Sequence, residues 1–198
     1  MKGGFRTTSA FIVLLAGISP AHAVEKPTPA MFAAACGACH GTNGASAGPT
    51  TPIIGGQPAP YIVDSLRAFK RGTRPASVMG RLAKGYADAD IDALGEYFGK
   101  QRFVRGHQTF DPKLAARGQG LHEKLCERCH IQDGRDFDDG EAKQPGPVLA
   151  GQWMQYLLIA FNEFLARERS FPPGMDDAFR QLRRGDPEAL AHFYASQQ

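Results

Sequence analysis

Cys36-Gly37-Ala38-Cys39-His40 and Cys126-Glu127-Arg128-Cys129-His130 decide how this chain folds, and together they use all four of its cysteines. Each stretch sets two thiols two residues apart with a histidine directly behind them. That is the pattern of c-type haem attachment: the thiols add across the haem vinyl groups and the histidine lies under the iron. Zinc ligation by paired CxxC motifs usually leaves ~12–20 residues between the pairs, whereas Cys39 and Cys126 are 87 positions apart. A thioredoxin-like redox pair calls for a βαβ setting, and the flanking runs here have helical periodicity. Disulfides inside each pair would close only tiny loops and stabilise little. The motifs therefore predict two covalently bound haem c groups, on Cys36, Cys39 and His40 and on Cys126, Cys129 and His130.

Reading outward from each motif uncovers an internal repeat. The first half continues through Pro52-Ile53-Ile54-Gly55-Gly56-Gln57 to Tyr61, Phe69, Met79 and Asp92-Ala93-Leu94. The second continues through Pro147-Val148-Leu149-Ala150-Gly151-Gln152 to Tyr156, Phe164, Met175 and Glu188-Ala189-Leu190. Glutamine to tyrosine is four residues in both halves, and methionine to the last matching glutamine is 22 in both. The repeat predicts two domains, 24–104 and 112–198, joined by a polar linker at 105–111.

The fold class expected is all-α, with a few short helices per domain. Thr28 and Pro29 open a helix that delivers Cys36. Ile62, Leu66 and Phe69 fall at i, i+4 and i+7, the apolar stripe of a helix ending at Gly72. Asp88 is the expected cap of a third helix carrying Ile91, Leu94 and Phe98. In the second half, Asp111-Pro112 opens the helix into Cys126, Trp153 to Arg167 forms the middle helix, and Asp186-Pro187 opens the last. Such small cores need extra volume, and a haem in each would supply it.

Residues 1–23 read as an address. Lys2 and Arg6 precede a short apolar run at Ala10–Ile18, and Ala21-His22-Ala23 is a small-x-small cleavage signal. This is a secretory signal peptide, which places the mature chain in the periplasm without a transmembrane segment. The whole chain carries a formal charge of +3, too little to indicate a nucleic-acid partner.

A haem iron with one histidine needs a second axial ligand. Met79 and Met175, matched in the repeat, are the candidates. Met154 lies on a helix and reads as core packing, while His107, His122 and His192 read as ordinary surface or interface histidines. The carbonyls of Pro52 and Pro147 are expected to accept the other ring proton of each proximal histidine. Arg67, Lys70, Arg71, Arg74, Arg81 and Lys84 crowd the Met79 region, either for haem propionates or an acidic partner or as a solvated face. Asp133, Asp136, Asp138, Asp139 and Glu141 read as an acidic surface loop.

These features resemble class I cytochromes c. More specifically, the segments Cys36–Gly44, Met79–Tyr86, Leu149–Trp153 and Phe193–Gln198 resemble the dihaem cytochrome subunit of flavocytochrome c sulfide dehydrogenases. That resemblance implies two His/Met haems and no catalytic site of the chain's own. It also implies a partner subunit that carries FAD and a downstream acceptor such as a soluble cytochrome c. His130-Ile131-Gln132-Asp133-Gly134 departs from the glycine-rich His40-Gly41-Thr42-Asn43-Gly44 of the first half, an asymmetry that also looks like that subunit. The alternative is a free-standing dihaem carrier between a membrane complex and a terminal oxidase.

Overall fold

The computed structural model describes residues 28–136, 146–172 and 174–198. Residues 1–23, expected to be a signal peptide, and the acidic residues Asp138, Asp139 and Glu141 lie outside these. The described residues form helices and loops with no strand, in agreement with the all-α expectation.

The first half contains α1 (Pro29–His40), α2 (Ala59–Arg71), the short α3 (Met79–Leu82) and α4 (Asp88–Gly99). Thr28 caps α1 by accepting from the Met31 amide, with proline in the first turn. Gly72 ends α2 in the left-handed conformation that glycine adopts without a Cβ penalty. The cap of α4 differs from expectation by one residue. Ala87 is the cap, and Asp90 accepts from its amide at 3.0 Å, so the helix start is fixed from inside its first turn. Ala33, Ile62, Leu94 and Phe98 form the buried core, with Cys36 packed against it.

The second half contains α5 (Pro112–Leu125), the single turn α6 (Ile131–Gly134), α7 (Met154–Leu165), α8 (Met175–Gln181) and α9 (Asp186–Ser196). Asp111 caps α5 by accepting from the Lys113 and Leu114 amides. Gly185, not Asp186, caps α9; Asp186 is buried instead and binds the Arg117 side chain and the Arg183 amide. Trp153 caps α7 rather than starting it. The core is larger here: Leu157, Phe161, Leu190, Phe193 and Tyr194, with Cys126 and Met154 against it. Gly118 lets α5 meet α9, because a Cβ there would stand 2.0 Å from the Ala189 carbonyl oxygen.

The halves join through a reciprocal exchange. Gln57 donates to the Val148 carbonyl at 3.0 Å and accepts from the Val148 amide at 2.9 Å. Gln152 does the same to Ile53, at 2.9 Å both ways. Both glutamines are buried, at 3% and 2% exposure, so these bonds replace lost water contacts. Trp153 adds an unmatched element: its indole donates to the Ser46 carbonyl at 3.0 Å, and its ring lies against Gly48 and Gly106. The 105–111 segment is tied to the second half. Gly106 donates to the Gly151 carbonyl at 2.8 Å, Gln108 to the Gln152 carbonyl at 2.9 Å, and the Asp111 amide to His192 Nδ1 at 3.0 Å.

Candidate functional site: two Cys-Cys-His motifs

Each motif sits against its own core, Cys36 in the first half and Cys126 in the second. α1 runs through the whole first motif to His40, whereas α5 stops at Leu125 with Cys126 as its cap. Burial pushes both the Cys36 and Cys126 thiols up, the latter to about 11. Among the described residues the two pairs do not gather into one metal-ligating cluster. A shared four-cysteine site is therefore excluded.

His40 is buried, and its Nδ1 lies 2.9 Å from the Pro52 carbonyl oxygen. A carbonyl only accepts, so Nδ1 carries the hydrogen and Nε2 keeps its lone pair. Burial lowers the pKa of His40, with the Pro52 contact opposing. At His130, burial and the neighbouring His122 bring the pKa down to about 4, while the backbone of Pro147 pulls the other way. Each motif thus ends in a neutral imidazole behind two thiols, and that donor set fits an iron porphyrin attached through thioethers.

The methionines take equivalent places. Met79 is the first residue of α3 and Met175 the first of α8, both half-buried. Met154 packs into the second core, and its amide donates to Gln108 Oε1 at 2.8 Å.

The basic cluster around Met79 is largely spoken for. Arg67 pairs with Asp92 and Lys70 with Asp88, each at 2.7 Å. Arg74 is buried and turns to the seam between halves, donating to Ser65 at 3.1 Å and to the Tyr156 hydroxyl at 3.2 Å.

His122 departs furthest from the sequence reading. It is not a surface histidine: its exposure is 0%, and Nδ1 lies 2.9 Å from the Tyr194 hydroxyl. His107 is exposed and contacts Gln198, and His192 accepts from the Asp111 amide.

A short-helix fold that twice sets a histidine directly behind two cysteines, each set beside its own apolar core, is the build of a c-type cytochrome. Comparison with known proteins agrees. The cytochrome c family model matches residues 27–100. Cytochrome c4 of Azotobacter vinelandii is 32% identical over 145 residues, covering 67% of this chain and 68% of the relative. The cytochrome subunit of sulfide dehydrogenase from Chlorobaculum tepidum is 47% identical over 64 residues, 32% of this chain and 57% of that one. The crystal structure of reduced cytochrome c4 from Pseudomonas stutzeri superposes with a TM-score of 0.73 at 25% identity, covering 86% of this chain and 97% of that one. The chain belongs to the class I cytochrome c family, and so is an electron-transfer protein with covalently bound haem c. The specific likeness to the sulfide dehydrogenase subunit is partial, and the cytochrome c4 likeness extends further along the chain.

Proposed function

We propose that this chain is an exported dihaem cytochrome that takes electrons from an FAD-containing sulfide dehydrogenase subunit and passes them to an acceptor such as a soluble cytochrome c. In this reading a leader at 1–23 directs it to the periplasm, and the units 24–104 and 112–198 hold one haem each across the 105–111 join. The observation that carries it is the repeated arrangement of a histidine, His40 or His130, directly behind two thiols, each set against its own core. Bound haem supplies a one-electron iron couple. The protein's part would be to hold it: Cys36 and Cys39, or Cys126 and Cys129, through thioethers, with His40 and Met79, or His130 and Met175, as the iron's protein ligands. Held in that way, the iron would exchange electrons by outer-sphere transfer, and substrate chemistry would fall to another chain. The match to a sulfide dehydrogenase cytochrome subunit supports a dehydrogenase subunit as that partner, and the FAD on it is what the resemblance implies.

The second reading, a free-standing carrier between a membrane complex and an oxidase, draws on the longer likeness to cytochrome c4. Stopped-flow reduction by sulfide separates the two. Rapid reduction only with the flavin subunit present is expected; no stable complex with any flavoprotein favours the free carrier. Rapid turnover of sulfide by the cytochrome alone defeats both.

The axial methionines make a separate prediction. Methionine favours ferrous iron more than histidine does. Met79→His and Met175→His should therefore each lower one haem's midpoint potential, and each should remove part of the methionine–iron charge-transfer band of the ferric protein. If Met154→Ala removes half of that band and Met175→Ala leaves it whole, Met175 is not the ligand.

A further inference from the structure

The second half contains a polar chain that the first half lacks. His122, on α5 one turn before Cys126, has no exposed surface. Its Nδ1 lies 2.9 Å from the hydroxyl of Tyr194 on α9, and its Nε2 contacts the Glu127 carboxylate. Tyr194 is 1% exposed and belongs to the core cluster against which Cys126 packs, and its hydroxyl holds the Cys126 thiol down against the upward push of burial. The other Glu127 oxygen accepts from the Gln132 amide at 3.0 Å, fixing the outer end. At the matching repeat positions the first half has Phe32, Gly37 and Phe98, with no polar side chain among them.

The direction of this chain follows from attachment. A thioether sulfur carries no hydrogen, so once Cys126 is joined to haem its contact with Tyr194 can only be one in which the hydroxyl donates. The tyrosine oxygen must then accept from His122 Nδ1–H. That leaves His122 Nε2 sharing a hydrogen with Glu127. Every dipole in the series turns its positive end toward the sulfur, and in a buried setting such a series is mutually reinforcing.

We propose that Glu127, His122 and Tyr194 are positioning residues that form a hydrogen-bond relay ending on the Cys126 sulfur, and that this relay raises the reduction potential of the second haem. Donation to the sulfur draws electron density from the haem periphery, which favours the reduced iron; hydrogen bonding around a haem is one of the protein's levers on its potential. At the first motif the matching side chains are Phe32 and Phe98, which offer no such relay. The two halves then differ electronically although their predicted ligand sets are the same.

The proposal rests on the reading that Cys126 and Cys129 attach a haem, and the test keeps the two apart. Tyr194→Phe and His122→Phe install the residues that the first half already has. Glu127→Gln alters only the half-exposed end and guards against loss of fold. Each holoprotein is weighed intact and titrated potentiometrically, with the second haem assigned by its shift in Met175→His. The expected result is two haems by mass, a lowered second midpoint in all three variants and an unmoved first midpoint. Tyr194→Phe combined with His122→Phe should lower the second midpoint no further than the larger single change, since both break one chain. Two haems with an unmoved second midpoint, or with both midpoints shifted alike, overturn the relay. A parent protein carrying one haem overturns the underlying reading instead.

Discussion

Replacing Cys126 and Cys129 together by alanine will leave a protein lighter by one haem, with the first haem still attached. The expectation follows from how the motifs are housed. Cys36 packs with Ala33, Ile62, Leu94 and Phe98, and Cys126 with Leu157, Phe161, Phe193 and Tyr194, so no core side chain serves both. Each His–Cys–Cys set is complete within its own half, and losing one leaves the other's donors untouched. The mirrored Cys36→Ala/Cys39→Ala protein should keep the second haem alone. Intact mass and the pyridine haemochrome spectrum read both results. A single pair of cysteines that abolishes both haems, or neither, would overturn the assignment of one haem per motif.

The second large effect is on stability. Gly118→Ala on α5 is expected to destabilise the protein by more than about 3 kcal/mol, beyond the ordinary range of overpacking. The added Cβ would lie 2.0 Å from the Ala189 carbonyl oxygen and 2.6 Å from its carbon. Both are backbone atoms of α9 and cannot rotate aside, so the helices must part and strip contacts from Phe193 and Leu190. The gain in helix propensity, about 1 kcal/mol, runs the other way and is outweighed. Gly120 on the same helix is the control. Nothing stands within 4 Å of a Cβ there, so Gly120→Ala should stabilise by up to about 1 kcal/mol. Chemical denaturation followed by circular dichroism reads both. Equal effects at the two positions would show that close helix contact is not the cause.

Much of this was legible in the sequence because covalent chemistry and periodicity write themselves locally. The Cys-Cys-His spacing points to haem, the matched glutamine, tyrosine and methionine spacings expose the duplication, and Thr28, Gly72 and Asp111 mark helix ends at which the structure has them. What escaped lies between segments. His122 reads as an ordinary surface or interface histidine because a lone polar side chain in sequence carries no mark of its buried partners. It stands four residues before Cys126, where Phe32 stands before Cys36, and that correspondence marks the core side of the helix. Its partner Tyr194 stands at the place of Phe98, so the repeat points to an apolar core position and hides the role of the hydroxyl. The glutamines were seen to repeat, but a repeat identifies equivalent positions and is silent about which of them touch. The α4 cap slipped by one residue because Asp90, inside the helix, holds the cap amide that Asp88 was expected to mark.

The glutamine exchange also bears on how many such units a chain of this kind can stack. Gln57 reaches Val148 and Gln152 reaches Ile53, so each half gives what it receives, through equivalent surfaces. A contact of that form closes on itself, as in a two-fold dimer. Solenoid repeats behave otherwise: each unit offers one face and accepts another, so a further copy always finds an open end. Here a third copy would find both faces already taken. The duplication is a closed pair held within one chain, and tethering frees its members from remaining identical. Trp153 against Ser46, with Pro58 at the matching position of the first half, is one result of that freedom.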